Sequence, residues 1–242
     1  MNNSRIKESW RVSPNLWGKL GLGASLGFLL IFSRLFSLES HWLSDEALWL
    51  ARSHYFIQSL QDGNLEETIL SPHPGVTTMW LGGISLWLRY RGGLTAAPGL
   101  TTKPFYSPET LAATRMSIAL TTIVAILMAW FLLSKLLGWW RSSLAVVFIS
   151  VDPFYLALSR MLHTDALAAS FALLAVLSLL VYLEQSQRSR YIIFSGVCFG
   201  LACLSKVTAF MLVLYVPLLI GLYKIFNAKR NKLNFSIPYL YS

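Results

Sequence analysis

Nine ionisable residues hold the chemistry this sequence offers: Asp45, Glu46, Arg52, His73, Arg115, Arg160, His163, Asp165 and Lys206. Carboxylates and imidazoles are the equipment of proton transfer, and guanidinium and ammonium groups that of anion binding. Their spacing is not random. Ser44 reads as the N-cap of a helix over 44–60, with Asp45 and Glu46 in its first turn, where the helix dipole favours anions. Asp45, Trp49, Arg52 and Phe56 then share one face by three- and four-residue steps. His73 stands between Pro72 and Pro74, which fix the backbone around it. Arg160, His163 and Asp165 fall within six residues of one another, and Lys206 interrupts an apolar run. Each group also has a plain reading: acids start helices, a loop histidine is solvated, and basic side chains snorkel at helix ends. Their convergence on one side of the molecule is the argument for function.

That convergence depends on the elements that carry them. The chain is 55% hydrophobic and 13% charged, about half the charge of an ordinary soluble domain. A membrane span needs about 20 apolar residues, and segments 16–36, 116–134, 142–159 and 166–183 qualify. The apolar stretch 191–223 would run about 50 Å as one helix, too long for one crossing. Two spans, 191–205 and 207–223, place Lys206 at the turn between them. They also keep Arg5, Lys7, Arg11, Lys19, Lys135, Arg141, Arg188, Arg190, Lys224, Lys229, Arg230 and Lys232 on one side, which the positive-inside rule makes the cytoplasm. The expected fold is therefore an all-α integral membrane protein of about six transmembrane helices. Residues 1–242 form one membrane domain: 1–15 and 227–242 are cytoplasmic, and 37–114 is an outer loop. The nine ionisable groups then share the outer face, at a depth where charge is costly and marks function.

Within the outer loop, the run 76–88 is about 20 Å of helix, too short to cross, and reads as interfacial. Trp42, Trp49, Tyr55, Phe56, Trp80 and Trp87 suit the membrane boundary. The formal charge of +9 is accounted for by topology and anionic lipid headgroups, so no nucleic-acid partner is expected. Gly21, Gly23 and Gly27 lie in an apolar helix with no preceding strand, which points to close helix packing rather than dinucleotide binding. Cys198 and Cys203 share one span and show no metal-site spacing.

At these motifs the chain resembles the lipid-carrier-dependent glycosyltransferases of the C-type multispan superfamily, which includes protein O-mannosyltransferases and aminoarabinose transferases. Asp45-Glu46 in LSDEALWLARS follows the first span, and His73-Pro74-Gly75 in SPHPGVTTMWL precedes the interfacial helix. Arg115 in LAATRMSIAL opens the second span; Arg160 and Asp165 in LSRMLHTDALAASF flank the next outer turn; GLACLSK ends at Lys206. The resemblance covers roughly 16–226. Gly75 stands where the family carries a second proline, which predicts a looser turn.

The resemblance implies inverting transfer of a hexosyl or pentosyl group from a polyprenyl-phosphate carrier to a protein, lipid or glycan acceptor outside the cytoplasm, at the cell membrane. Asp45 is the expected general base, with Glu46 the next carboxylate. Arg52, His73, Arg115, Arg160 and Lys206 are the expected phosphate-binding set, and His163 and Asp165 support them. No cofactor is certain. Glu46 with His73 could reach a divalent metal, but one carboxylate and one imidazole are a weak pattern for one. Partners are the donor, an unknown acceptor and membrane lipids. Relatives run longer, so the chain is expected to be an incomplete domain, inactive alone or completed by a second chain. Transporter or flippase half and non-catalytic membrane scaffold are the rival readings; the absence of an inverted repeat counts against the first.

Overall fold

A computed structural model describes residues 16–40, 43–70, 74–90, 107–186 and 188–236, and among these the protein is helical with no strand. The helices are α1 Leu16–Leu35, α2 Ser44–Gln61, α3 Val76–Arg89, α4 Pro108–Leu137, α5 Trp139–Val151, α6 Pro153–Leu158, α7 Asp165–Val181, α8 Ser189–Ser205 and α9 Leu212–Ser236. Among the described residues three helical segments are long and apolar enough to cross a membrane: Pro108–Leu137, Asp165–Gln185 and Val207–Phe226. Gly21–Leu35, Trp139–Val151 and Ser189–Ser205 are shorter apolar helices. Together they are the six apolar segments expected of an all-α membrane protein.

Local chemistry sets the boundaries. Ser107 caps α4 by accepting from Thr110 N at 3.3 Å, with Pro108 at the first helical position, so this helix begins eight residues before the expected 116. Gly138, at φ +81°, ends it. The expected span 142–159 is not continuous. It starts at Trp139 and breaks at Asp152, whose carboxylate caps α6 through Tyr155 N at 2.7 Å ahead of Pro153. Pro153 has no N–H to continue α5. Lys206 is extended, at φ −153°, and separates α8 from a 3-10 turn over Val207–Met211.

Helices α4, α7 and α8 form the centre, with α7 packed between the other two. Small and hydroxyl side chains allow the approach. Ala125, Ala129 and Ala175 are buried between α4 and α7. Ser178 Oγ donates to Tyr191 O at 2.8 Å and Ser195 Oγ to Ala175 O at 2.7 Å, tying α7 to α8. Helix α1 packs Leu30 against Ile123, Ile126 and Val146 of α4 and α5. Of its three central glycines only Gly23 makes the close approach expected, 3.5 Å from the Trp130 ring by its would-be Cβ; Gly21 and Gly27 face open space.

Helices α2 and α3 pair, α3 lies against α4 and touches α8, and Trp49, Leu50, Phe56, Ile57, Met79, Leu86, Ile118, Leu162 and Leu167 form the shared core. Trp49 and Phe56 are thus core residues rather than boundary anchors, because the face they share is the one α2 turns inward; Trp80, Trp87 and Tyr55 remain exposed. Trp42 lies outside the described residues. The pairing needs a close crossing: a methyl on Gly83 would meet the Ile57 side chain and stand 2.9 Å from Ser53 O. Gly83→Ala should therefore lower stability by about 1–3 kcal/mol, the usual cost of overpacking, whereas Gly21→Ala should not. Thermal unfolding of the two variants in detergent checks this, and equal midpoints would contradict the packing described.

Candidate active site

The end of the bundle that carries Asp45, the α6–α7 turn and Lys206 brings four of the expected residues into a row. His163 Nε2 lies 4.0 Å from Asp45 Oδ2, and its Nδ1 lies 3.4 Å from Asp165 Oδ2. Asp165 in turn pairs through Oδ1 with Lys206 Nζ. Each member has a structural reason to be there. Asp45 sits in the first turn of α2, and Asp165 opens α7, both where a carboxylate complements the helix dipole. Lys206 closes α8, held beside α3 by a Thr77–Ser205 hydrogen bond of 2.7 Å. The carbonyl of His163 accepts from Thr78 Oγ1 at 3.5 Å.

Trp49 links this row to Arg52. Its ring meets His163 edge-on at 6.4 Å, and the Arg52 guanidinium stacks on it at 4.9 Å. Gly75 is buried against the same indole, which leaves no room for a Cβ. The turn at Gly75 is therefore closely packed rather than loose: a proline ring there would run into Trp49. His73 lies outside the described residues, so its expected phosphate and metal roles have no structural account.

Glu46 and Arg115 meet elsewhere and are differently employed. Glu46 is fully buried, and Arg115 is 4% exposed. Arg115 Nε donates to Glu46 Oε1 at 2.7 Å and Nη2 to Oε2 at 2.5 Å, a bidentate pair. Oε1 also accepts Leu162 N at 3.0 Å, and Oε2 accepts Leu43 N at 3.3 Å. Arg115 Nη1 donates to Leu38 O at 2.7 Å and Ser40 O at 2.6 Å. This knot clamps the segment after α1, the start of α2 and the α6–α7 turn onto α4. Helix α2 in fact begins at Ser44, with Leu43 as the capping residue, because the Glu46 carboxylate satisfies the Leu43 N–H. A metal or a phosphate at this position would have to displace bonds already made.

Arg160 is likewise turned to the backbone. Its Nη2 donates to Phe36 O and, at 3.3 Å, to Ser37 O, where the chain leaves α1 with Ser37 at φ +56°. It lines a crevice of about 280 Å³ with Arg115, Leu38 and Met161. Lys206 and Asp165 instead head a groove of about 430 Å³ that continues along Ala168, Ala169, Ala172, Leu212 and Tyr215 between α7 and α9. A Lys–Asp pair over a small-residue, apolar trough suits an amphiphile with a polar headgroup.

Arg34, in the last turn of α1, is not among the nine ionisable groups singled out from the sequence. This arginine is fully buried: Nη1 donates to Ser150 O at 3.4 Å, and the guanidinium faces the Tyr155 ring at 5.7 Å. An arginine inside an apolar helix was the available signal. Among the described residues no group of three or more metal-ligating side chains occurs.

Comparison with known proteins adds the family. No curated protein and no solved structure matches the chain. The dolichyl-phosphate-mannose-protein mannosyltransferase family matches residues 105–242, more than half of the chain. That stretch holds Arg115, Arg160, His163, Asp165, Lys206 and the groove behind them, and the chain belongs to this family of membrane glycosyltransferases, which draw on polyprenyl-phosphate sugar donors.

Proposed function

We propose that this protein transfers a sugar from a polyprenyl-phosphate carrier to a hydroxyl acceptor on a protein, lipid or glycan, on the non-cytoplasmic face of the cell membrane. The observation that carries the reading is the row Asp45–His163–Asp165–Lys206 at the head of the α7–α9 groove. The prenyl chain occupies the groove beside Ala168, Ala172 and Leu212. The phosphate rests at Lys206, whose single carboxylate partner among the described residues, Asp165, leaves donors for a second anion. Asp45 is the base. Its side chain is 71% exposed, and its only ion-pair partner among the described residues is His163 at 4.0 Å. The acceptor O–H gives its proton to Asp45 as the oxygen attacks the anomeric carbon. The carbon–oxygen bond to phosphate breaks, and polyprenyl phosphate departs with the electron pair. His163 and Asp165 orient the two ends, and Arg52, stacked on Trp49, borders the acceptor side. Glu46 and Arg115 position the row rather than react.

Residues 37–114, the α6–α7 turn and Lys206 form the outer face, and 1–242 act as one membrane domain. The basic residues gathered at the opposite end of the bundle, Lys135, Arg141, Arg188 and Arg190 among them, support this sidedness. The apolar segment Val207–Phe226 is only 6% buried among the described residues, which is compatible with a partner chain beside it. Single cysteines at residues 63 and 163, with Cys198 and Cys203 replaced, should both react with a membrane-impermeant reagent from outside. Labelling from opposite sides would overturn the arrangement.

Activity is tested by incubating the purified protein with radiolabelled mannose, other hexoses and aminopentose on polyprenyl phosphate, with peptide, lipid and glycan acceptors. The expected result is time-dependent transfer of label with release of polyprenyl phosphate. Retention of label on every donor offered would contradict the proposed function.

A further inference from the structure

A second groove lies at the opposite end of the bundle. Between α4 and α8, Val124, Leu127, Met128, Phe131, Leu132, Tyr191 and Phe194 line a trough of about 480 Å³. Along α4 it runs from Val124 to Phe131, about 10 Å of helix at 1.5 Å per residue. That is a large part of one leaflet, about 15 Å of a 30 Å hydrocarbon core. Phe131, Val124 and Met128 are exposed, so the trough opens sideways to whatever surrounds the helices.

Two cations sit at one end of it, each stacked on a ring that lines it or flanks its mouth. Lys135 Nζ is 4.5 Å from the Phe131 ring, and the Arg190 guanidinium is 4.9 Å from the Tyr191 ring. Neither makes an ion pair among the described residues. No acid lines the trough; Glu184, on the exposed turn between α7 and α8, is the acid nearest in sequence to Arg190. Two cations with no ion pair among the described residues, over an apolar, laterally open channel, complement an anionic amphiphile at a membrane surface.

We propose that this groove binds an anionic glycerophospholipid of the leaflet at the basic end. Its phosphate lies at Lys135 and Arg190, and one acyl chain lies along Phe131, Met128, Leu127 and Phe194. The site is separate from the Lys206 groove, which opens at the other end of α7 and α8, and it stands whether or not that groove holds a sugar donor.

Native mass spectrometry of the full chain, with equal amounts of phosphatidylglycerol and phosphatidylcholine of matched chains, tests the proposal. Two basic groups near a membrane surface should give about a tenfold or greater preference for the anionic lipid. Lys135→Ala with Arg190→Ala should bring that preference close to one while the protein stays folded, since Arg190 is exposed, Lys135 is only half-buried and neither is in an ion pair among the described residues. Leu127→Trp should fill the trough and reduce retention of both lipids with the charges intact. Equal retention of the two lipids by the unaltered protein would overturn the proposal, as would an undiminished preference in the double variant. Displacement by glycerophosphoglycerol, which has the headgroup but no chains, would point to a free phosphate site and also overturn it. So would disulfide-linked dimers of Leu127→Cys in a background lacking Cys198 and Cys203, because a second copy would then cover the groove.

Discussion

Arg115→Met should be the most damaging single substitution for the fold. It would leave the Glu46 carboxylate buried against α4 with, among the described residues, the Leu162 and Leu43 N–H groups as its remaining donors. Removing one partner of a buried ion pair costs about 3–5 kcal/mol, since the remaining charge is neither hydrated nor paired. The Leu38 and Ser40 carbonyls would lose their donor as well. For a protein of this size the loss should appear as a fall of about 10 °C in the unfolding midpoint in detergent. Arg115→Met combined with Glu46→Leu should recover much of it, because replacing both charges removes the desolvation penalty with the attraction. A single variant as stable as the unaltered protein would show that the clamp does not hold α2 to α4. If the double variant were no better than the single, the backbone bonds rather than the ion pair would be the cause.

Asp45→Asn should have the opposite signature. The side chain is mostly exposed and, among the described residues, its only ionisable neighbour within 4.0 Å is His163, so stability should hardly change. Sugar transfer should fall by about 100- to 10,000-fold, the range for loss of a general base, because the amide keeps the shape but takes no proton. The comparison with Glu46→Gln separates the two carboxylates. Glu46→Gln would weaken the pairing with Arg115 and lower the midpoint, whereas Asp45→Asn would lower turnover alone. Turnover in Asp45→Asn close to that of the unaltered protein would remove Asp45 from the base role.

The contrast between these neighbouring acids marks where sequence reading stops. Two acids in the first turn of a helix are equivalent by type and dipole, and a step of one residue, about 100° around the helix, decides which faces α4 and which faces solvent. Nothing in LSDEALWL states that angle until the inward face of α2 is known. The apolar spans were legible because about 20 consecutive apolar residues have few alternatives to membrane crossing. The turn at Lys206 was legible because a charge cannot sit cheaply within such a run. The break at Asp152-Pro153 is not legible from Pro153 alone, since the flanking residues are apolar enough to pass for one continuous span. Trp49 was read as a boundary aromatic because composition alone does not distinguish an indole at an interface from one packed between Arg52, His163 and Gly75. The ordering of Asp45, His163, Asp165 and Lys206 joins residues far apart in the chain, and only the packing of α2, α7 and α8 brings them into one row.

The central claim is that the donor's phosphate rests at Lys206 with its prenyl chain between α7 and α9. Photo-cross-linking with a polyprenyl-phosphate sugar whose prenyl chain carries a diazirine, followed by peptide mapping, tests it directly. The adducts should fall on the α7 and α9 peptides that contain Ala168, Ala169, Ala172, Leu212 and Tyr215, and Lys206→Met should strongly reduce them at limiting donor. Adducts concentrated elsewhere, in the crevice of Arg115 and Arg160 or along Phe131 and Phe194, and unaffected by Lys206→Met, would contradict the account.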